Sequence, residues 1–205
     1  MTRNLLALLF LCCAAGWALP LSAASPNTPN STKPMPAWTT EQLMTTLSGV
    51  SGGTTRFVEK KYLGMLNEPL VLKGTLTYTA PSRLEKHVLS PYDERYTVDD
   101  INLQIDNPGK NIHRSFALQS YPAIWAFVES FRATLAGDIK TLQRFYTVSL
   151  NGDQKKWELT LLPLEPSMLK AITAIRIKGH GEHITSIEIQ ENNGDRSLMS
   201  LEDTP

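Results

Sequence analysis

The sequence has little cysteine and no excess of charge of either sign. Its two cysteines, Cys12 and Cys13, lie in an apolar N-terminal segment that we expect to be removed, which leaves no thiol for a stabilising disulfide. The chain carries 20 basic and 20 acidic residues, so its formal net charge is zero. Nucleic-acid-binding proteins normally present a basic stripe, and this balance argues against that class.

The sequence also has no long hydrophobic run after its N-terminus and none of the common catalytic motifs. No later stretch approaches the ~20 apolar residues that span a bilayer. The chain contains no nucleophile elbow, phosphate-binding loop, dinucleotide glycine pattern or zinc-binding His-Glu-x-x-His helix. These absences disfavour an enzyme, because a hydrolase would need a nucleophile and a base that only the fold brings together.

Two short clusters raise the alternative of a metal site. Residues 180–183 contain two His and one Glu, and a hairpin could present all three to a metal ion. A solvated turn with incidental histidines is the favoured interpretation, because no further ligands lie nearby in the sequence. Asp99 and Asp100 suit a turn better than a calcium site. We therefore predict no metal, no cofactor and no catalytic residue.

The N-terminus has the pattern of a secretory signal peptide. Arg3 precedes an apolar run over residues 5–15, and small residues follow up to Ala24. An uncleaved membrane anchor is the alternative, but Gly16 and Pro20 interrupt the run too early for a bilayer span. The pattern predicts cleavage near Ala24 and export to the periplasm.

These features divide the chain into three parts. Residues 1–24 are the predicted signal peptide, and residues 25–38 are a predicted flexible leader rich in Pro, Ser, Thr and Asn. Residues 39–205 remain for one folded domain, since their length suits a single core.

Two regions of the domain have helical patterns. Thr39 and Gln42 form a capping box at the start of the first helix, whose apolar positions include Leu43 and Leu47, and residues 51–53 are expected to end it. The second helix is predicted between residues 121 and 137, followed by a short helix over 138–142. Its apolar face has the three- and four-residue spacing of a helix and comprises Ile124, Phe127, Val128, Phe131 and Leu135. Three residues are expected to lie off that face: Trp125, Glu129 and Arg132.

The rest of the domain alternates between apolar and polar residues, as in antiparallel strands with one buried face. Trp157, Leu159 and Leu161, for example, alternate with polar neighbours. The predicted strands are residues 56–63, 70–78, 83–89, 96–98, 102–105, 145–150, 154–162, 172–178, 184–191 and 196–201. The predicted turns are residues 107–110, 151–153, 179–182 and 192–195. The pattern predicts a mainly β protein with helices (α+β), in which a curved antiparallel sheet is covered by the two amphipathic helices.

The apolar face of such a sheet has two possible roles. Its side chains can enclose a ligand with few polar groups, or they can pack completely against the helices as an ordinary core. Periodicity alone leaves both alternatives open.

The order of short motifs resembles the LolA-type periplasmic carriers of outer-membrane lipoproteins. Residues 57–59 are similar to the family's Phe-x-Gln strand, and residues 74–76 to its Gly-x-Leu strand. The Pro turn at 81–84 and the segment 98–108 also resemble family motifs. Three further segments are typical of a LolA-related branch: residues 135–138, 157–163 and 194–196. The similarity covers about residues 39–201. It implies an incomplete β-barrel covered by lid helices, whose cavity receives acyl chains without a nucleotide or metal.

The resemblance also implies a transfer pathway and a lid-control residue. Family members pass cargo from an inner-membrane donor to an outer-membrane acceptor, and relatives of this branch are associated with polyene-type or other lipid-like cargo. Typical carriers have an Arg directly before the turn proline, where this chain has Ala80; Arg83 is the candidate replacement. Glu59 stands at the Gln position of the Phe-x-Gln strand.

We therefore predict a monomeric periplasmic carrier, or chaperone, that shields the acyl chains of lipoproteins or similar lipid-like cargo on the way to the outer membrane. The alternative is a non-carrier protein-interaction or sensor module whose LolA-like cavity is filled. From the sheet, the candidate ligand-binding residues are Leu72, Leu76, Tyr78, Leu84, Leu103, Ile105, Trp157, Leu159 and Leu161. From the lid helix, they are Phe127, Phe131 and Leu135.

Overall fold

Eleven antiparallel strands form one sheet in the computed structural model, which describes residues 38–202. The strands are β1 (Gly52–Tyr62), β2 (Leu70–Thr79), β3 (Arg83–Ser90), β4 (Glu94–Asp99), β5 (Asn102–Asn107), β6 (Ile112–Ala117), β7 (Tyr146–Asp153), β8 (Lys156–Pro163), β9 (Ile172–His180), β10 (His183–Glu191) and β11 (Arg196–Leu201). The predicted signal peptide, and residues 25–37 of the predicted leader, lie outside the described range. Trp38, the last residue of that leader, packs against the core.

The sheet is a meander whose first and last strands meet in the middle. Its order is β6-β5-β4-β3-β2-β1-β11-β10-β9-β8-β7. Phe57 of β1 pairs with Leu201 of β11 and with Gly74 of β2. β6 and β7 are consequently the two edges, and the chain between them must cross from one edge to the other.

Helices make that crossing and cover the sheet. The helices are α1 (Thr40–Leu47), α2 (Pro122–Ala136), α3 (Ile139–Phe145) and α4 (Pro166–Leu169), with short 3-10 turns at Pro108–Lys110 and Leu118–Ser120. The helices α2 and α3 link β6 to β7. The predicted fold class, a curved antiparallel sheet covered by helices, is confirmed. No helix within residues 38–202 is long and apolar enough to cross a membrane.

The start of α1 follows from local chemistry. The Thr39 hydroxyl accepts a hydrogen bond from the Gln42 backbone N–H, and the Gln42 side chain accepts one from the Thr39 N–H. Leu43, Met44 and Leu47 are buried as the spacing predicted. The helix ends at Leu47, earlier than the predicted 51–53, because Gly52 already begins β1.

Helix α2 is buried on more than the predicted face. Trp125 lies edge-on to Phe145 of α3 at 5.2 Å between ring centroids, and Arg132 is only 8% exposed. Ser130 and Thr134 are also buried, each donating a side-chain hydrogen bond to a backbone carbonyl one turn earlier. Trp125 and Arg132, predicted only to lie off the apolar face, are therefore not left to solvent: α1, α3 and α4 also pack against α2, and Arg132 contacts the β2–β3 turn.

One turn and one helix also differ from the sequence pattern. β7 continues through residues 151–153, which were predicted as a turn, and the hairpin closes where the Asp153 carboxylate accepts hydrogen bonds from the Lys155 and Lys156 backbone N–H groups. Helix α4 was not predicted, because its four residues are too few to show a period.

The core consists of two apolar clusters on the helix-covered face. The first, larger cluster joins α1 and α3 to strands on both sides of the β1–β11 pair, and includes Leu43, Leu72, Trp157 and Ile177. The second lies between α2 and strands β2 to β5, and includes Leu84, Tyr96, Leu103 and Val128. Phe127 and Phe131 of α2 contact both clusters, so α2 lies over their junction.

Candidate functional site: a cavity beneath helix α2

A cavity of about 110 Å³ lies between the sheet and α2, where the two apolar clusters meet. Its wall is mainly apolar. Beyond the residues discussed next, the apolar side chains that line it are Tyr96, Val98, Val128, Ile187, Ile189 and Met199. Residues from β1 to β5, β10, β11 and α2 therefore converge on one space that no local segment forms alone.

Five of the predicted ligand-binding residues line this cavity. These are Leu76, Leu84, Leu103, Phe127 and Phe131. The sheet residues reach it because alternate side chains of a strand share a face, and the helix residues because they are four apart on α2.

The other seven predicted residues lie in the core beside the cavity. Four belong to the first cluster: Leu72, Trp157, Leu159 and Leu161. Three belong to or pack against the second cluster: Tyr78, Ile105 and Leu135. They share the alternating pattern of the cavity residues, and that pattern marks a buried face without marking the part of it left unfilled.

Sequence reasoning missed the polar part of the wall. Glu59 of β1, Lys86 of β3 and Ser197 of β11 line the cavity together with Glu85. Glu59 is 1% exposed, and its Oε2 accepts a hydrogen bond from Lys86 Nζ at 2.5 Å, while its Oε1 accepts one from the Ser197 hydroxyl. The Glu59 position was noted only as a departure from a motif, because neither partner is close to it in sequence.

The electrostatics keep Glu59 ionised. Burial opposes its charge, but the ammonium groups of Lys86 and Lys61 and the two side-chain hydrogen bonds outweigh that effect and hold its pKa below the usual value. Lys61 Nζ lies 4.0 Å from Glu59 Oε1. Burial lowers the pKa of Lys61 to about 8, although the Glu59 carboxylate opposes that shift.

A second buried carboxylate extends the polar row toward β4 and β5. Glu94 accepts hydrogen bonds from the Tyr96 hydroxyl at 2.5 Å and from the Asn107 amide at 3.1 Å. Burial and the bond to Glu94 raise the pKa of Tyr96, so its hydroxyl remains a donor. The helix-covered face thus has a charged row at the ends of β1, β3 and β4 and an apolar region under α2, with the cavity between them.

Gly74 makes room for the contact between Glu59 and Lys86. A Cβ at Gly74 would lie 3.0 Å from Cε1 of the Phe57 ring and 1.9 Å from the His87 carbonyl oxygen. The Phe57 ring occupies this space, and Lys86 Nζ lies 5.4 Å from its centroid. The glycine of the predicted Gly-x-Leu strand therefore lies where the Phe57 ring and the Lys86 side chain pass over β2.

A residue of α2, the predicted lid helix, forms a hydrogen bond to the sheet. Arg132 Nε of α2 donates a hydrogen bond to the Ser82 carbonyl oxygen at 2.7 Å, in the turn between β2 and β3. Its Nη1 lies 2.8 Å from Glu129 Oε1. Arg83, the predicted lid-control residue, pairs with Asp99 at 2.8 Å and is about half exposed. A lid-control role for Arg83 remains a prediction.

The hairpin at 180–183 contributes no side chain to the wall of this cavity. The rings of His180 and His183 stack with centroids 5.3 Å apart across the β9–β10 turn. Within residues 38–202, no group of three or more His, Cys, Asp or Glu side chains is arranged to hold a metal ion. The described features of the cavity suit the enclosure of an apolar group beside a charged pair.

Comparison with known proteins gives one family and several distant folds. The family described as "Outer membrane lipoprotein carrier protein LolA-like" matches residues 33–202. No curated protein sequence matches the chain. The family match extends over the sheet, the helices and the cavity.

The similar solved structures are distant in sequence. A LolA superfamily protein from Nitrosomonas europaea aligns over 82% of this chain and 93% of its own, with 7% identity and a TM-score of 0.44. A chain of the Pseudomonas aeruginosa MucA/MucB complex aligns over 81% of this chain and 58% of its own, with 11% identity and a TM-score of 0.43. LprF from Mycobacterium bovis aligns over 80% and 91%, with 10% identity and a TM-score of 0.34.

Proposed function

This chain belongs to the LolA-like family of outer membrane lipoprotein carrier proteins, and on that premise we propose that it is a periplasmic carrier that shields an acyl chain during transfer toward the outer membrane. The observation that carries the proposal is the apolar cavity under α2. No catalytic step is part of the proposed function. The cargo is an acylated lipoprotein or a similar lipid-like molecule, and the carrier acts as a monomer.

The size of the cavity limits how much of an acyl chain fits without movement of α2. A dry cavity of about 150 Å³ holds a ligand the size of benzene, so the space here accommodates only a short stretch of chain while α2 stays in place. Each buried CH₂ contributes about 0.8 kcal/mol. A longer chain gains more, but it requires α2 to move away from the sheet.

Release depends on a competing acceptor. The chain contains no nucleotide-binding motif to couple release to hydrolysis. An acceptor at the outer membrane must therefore bind the cargo more tightly than this cavity does, and a donor at the inner membrane must bind it less tightly.

Native mass spectrometry with lipid extraction tests the proposal. The protein is purified from a periplasm without detergent, beside two matched variants: Val128→Phe, which fills the cavity from α2, and Val71→Phe, which places the same side chain on the exposed face of β2. We expect acyl lipid to accompany the wild type and Val71→Phe, and to be lost from a folded Val128→Phe protein.

A wild-type protein that is purified without lipid and does not bind added acyl lipid or lipopeptide would contradict the proposed carrier function. That result would favour the alternative, an interaction module that binds other proteins.

A further inference from the structure

The charged pair on the cavity wall is unusual for a chamber that holds only hydrocarbon. A buried ion pair costs desolvation free energy, and apolar residues of similar size often replace such pairs without loss of stability. Here the pair joins β1 and β3 across the intervening strand β2 and lines the cavity itself. Apolar residues of similar size could pack on this face, so the pair points to a role toward the contents of the cavity.

The two members of the pair differ in what they can still offer. Both oxygens of Glu59 are engaged, Oε2 by Lys86 and Oε1 by Ser197. The Lys86 ammonium has three N–H donors. Its contacts within residues 38–202 are one hydrogen bond to Glu59 and the face of the Phe57 ring. Donor capacity therefore remains at Lys86, whereas each Glu59 oxygen already accepts a hydrogen bond.

We propose that Lys86, held by Glu59, is a head-group subsite that donates a hydrogen bond to the carbonyl or carboxylate oxygen of a single acyl chain whose tail lies in the apolar part of the cavity. This inference rests on the proposed carrier function and specifies the chemistry of the cargo. A ligand whose polar end accepts hydrogen bonds is favoured over a cationic head that has no acceptor, because the Lys86 ammonium offers only donors. The same oxygen is present in a free fatty acid and in an acyl ester, so both are candidate sources.

The test compares three probes with the same C12 chain and different heads. Dodecanoate is an anionic acceptor, methyl dodecanoate is a neutral acceptor, and dodecyltrimethylammonium is a cation without an acceptor. Each is used to displace an apolar fluorescent dye from the wild-type protein, the two ionic probes below their critical micelle concentrations and the ester below its solubility limit. We expect both acceptors to bind at least tenfold more tightly than the cation, and the comparison of acid with ester identifies the better source.

A double variant, Glu59→Gln with Lys86→Met, removes both charges together and leaves neither one unpaired. We expect it to bind all three probes within about threefold of one another. The control, Glu158→Gln with Lys178→Met, removes an ion pair of 2.9 Å from β8 and β9 on the opposite face and is expected to keep the wild-type preference. If the first variant does not fold, Glu59→Gln with Lys86→Leu also removes both charges and leaves no donor at position 86, and it is expected to lose the preference as well.

The outcomes separate this proposal from the carrier function. Equal binding of all three probes by the wild type would overturn the head-group subsite and leave the carrier intact. A preference that persists in the charge-free variants would also overturn it, by placing the head elsewhere. No binding of any probe would overturn both.

Discussion

Glu191, at the end of β10, is a partly buried carboxyl group whose pKa lies near neutral. Burial and the adjacent Asp195 carboxylate raise its pKa to about 7, while Lys61 opposes the shift. Asp195 is itself 1% exposed and accepts a hydrogen bond from the Gly64 backbone N–H at 3.0 Å, which ties the β1–β2 loop to the β10–β11 turn. Its carboxylate is thus fixed beside Glu191 by the backbone.

The raised pKa predicts that Glu191 makes the fold less stable as the pH rises. Between the usual value of 4.5 and about 7, the folded protein holds a proton that the unfolded chain has released, so the free energy of unfolding falls over that interval. Glu191→Gln removes this titration. The carboxyl is only partly buried, so the expected effect is modest. We expect the free energy of unfolding of the variant, relative to wild type, to be about 1 kcal/mol higher at pH 8 than at pH 5.

Urea denaturation at the two pH values measures this gain. Glu68→Gln, at an exposed position of the β1–β2 loop, is the control, and its difference from wild type is expected to be the same at both pH values. A Glu191→Gln difference that does not change with pH would show that the carboxyl is solvated.

Among the elements of the fold, the corner between α2 and α3 fixes where α2 ends and α3 begins. Gly137 ends α2 with φ of 70°, and the Asp138 N–H donates to the Ala133 carbonyl oxygen at 2.8 Å. The Asp138 carboxylate then caps α3 by accepting from the Thr141 N–H. Two consecutive residues thus end one helix and start the next, and they direct the chain toward β7.

Gly137→Ala should be strongly destabilising. The substitution adds a Cβ in the left-handed region, and that atom would lie 2.0 Å from the Met44 carbonyl oxygen, so α1 must shift. We expect a loss of about 2 kcal/mol or more in the free energy of unfolding, measured by urea denaturation. Gly53→Ala is the matched control, because a Cβ there meets no atom within 4 Å, and a change within about 0.5 kcal/mol is expected. Similar losses in the two variants would argue against close packing of α1 on this corner.

In the whole molecule, the two edges of the sheet are not paired with each other, and the helices cover the space between them. The edge strands β6 and β7 are joined by the segment that contains α2 and α3, so the lid is anchored at both edges. Between those anchors, Arg132 ties α2 to the β2–β3 turn through the Ser82 carbonyl. Movement of α2 to admit a longer chain has to break this hydrogen bond.

Arg132→Met is therefore expected to speed the release of bound dodecanoate by about tenfold or more, because opening no longer breaks a charged hydrogen bond of about 1.5–3 kcal/mol. Stopped-flow displacement by an apolar dye measures the release rate. Arg176→Met, which removes an exposed partner of Glu188 at 3.6 Å, is the control and should release at the wild-type rate.

Arg83→Met separates the two candidates for lid control. The Arg83 contacts with Asp99 and Glu85 are on the sheet, so we expect little change in release. Acceleration by Arg83→Met, with none by Arg132→Met, would support the prediction from the sequence and contradict the role of Arg132.

The sequence by itself determined the features that depend on near neighbours. The capping box of Thr39 and Gln42 needs only residues three apart, and the burial of Trp157, Leu159 and Leu161 follows from the two-residue period of a strand. Such patterns indicated the sheet, the helices and the buried face. They also placed five cavity residues in the predicted set, because the cavity lies on that face.

The tertiary structure alone decided which part of the buried face stays open and what lines it. Glu59 meets Ser197 across 138 positions of sequence, and Arg132 meets Ser82 across 50. Helix α2 also had a second buried side that its own period did not show, because that side packs on helices rather than on the sheet. Local patterns report which residues avoid water, whereas the pairing of charges and the remaining space depend on distant segments packing together.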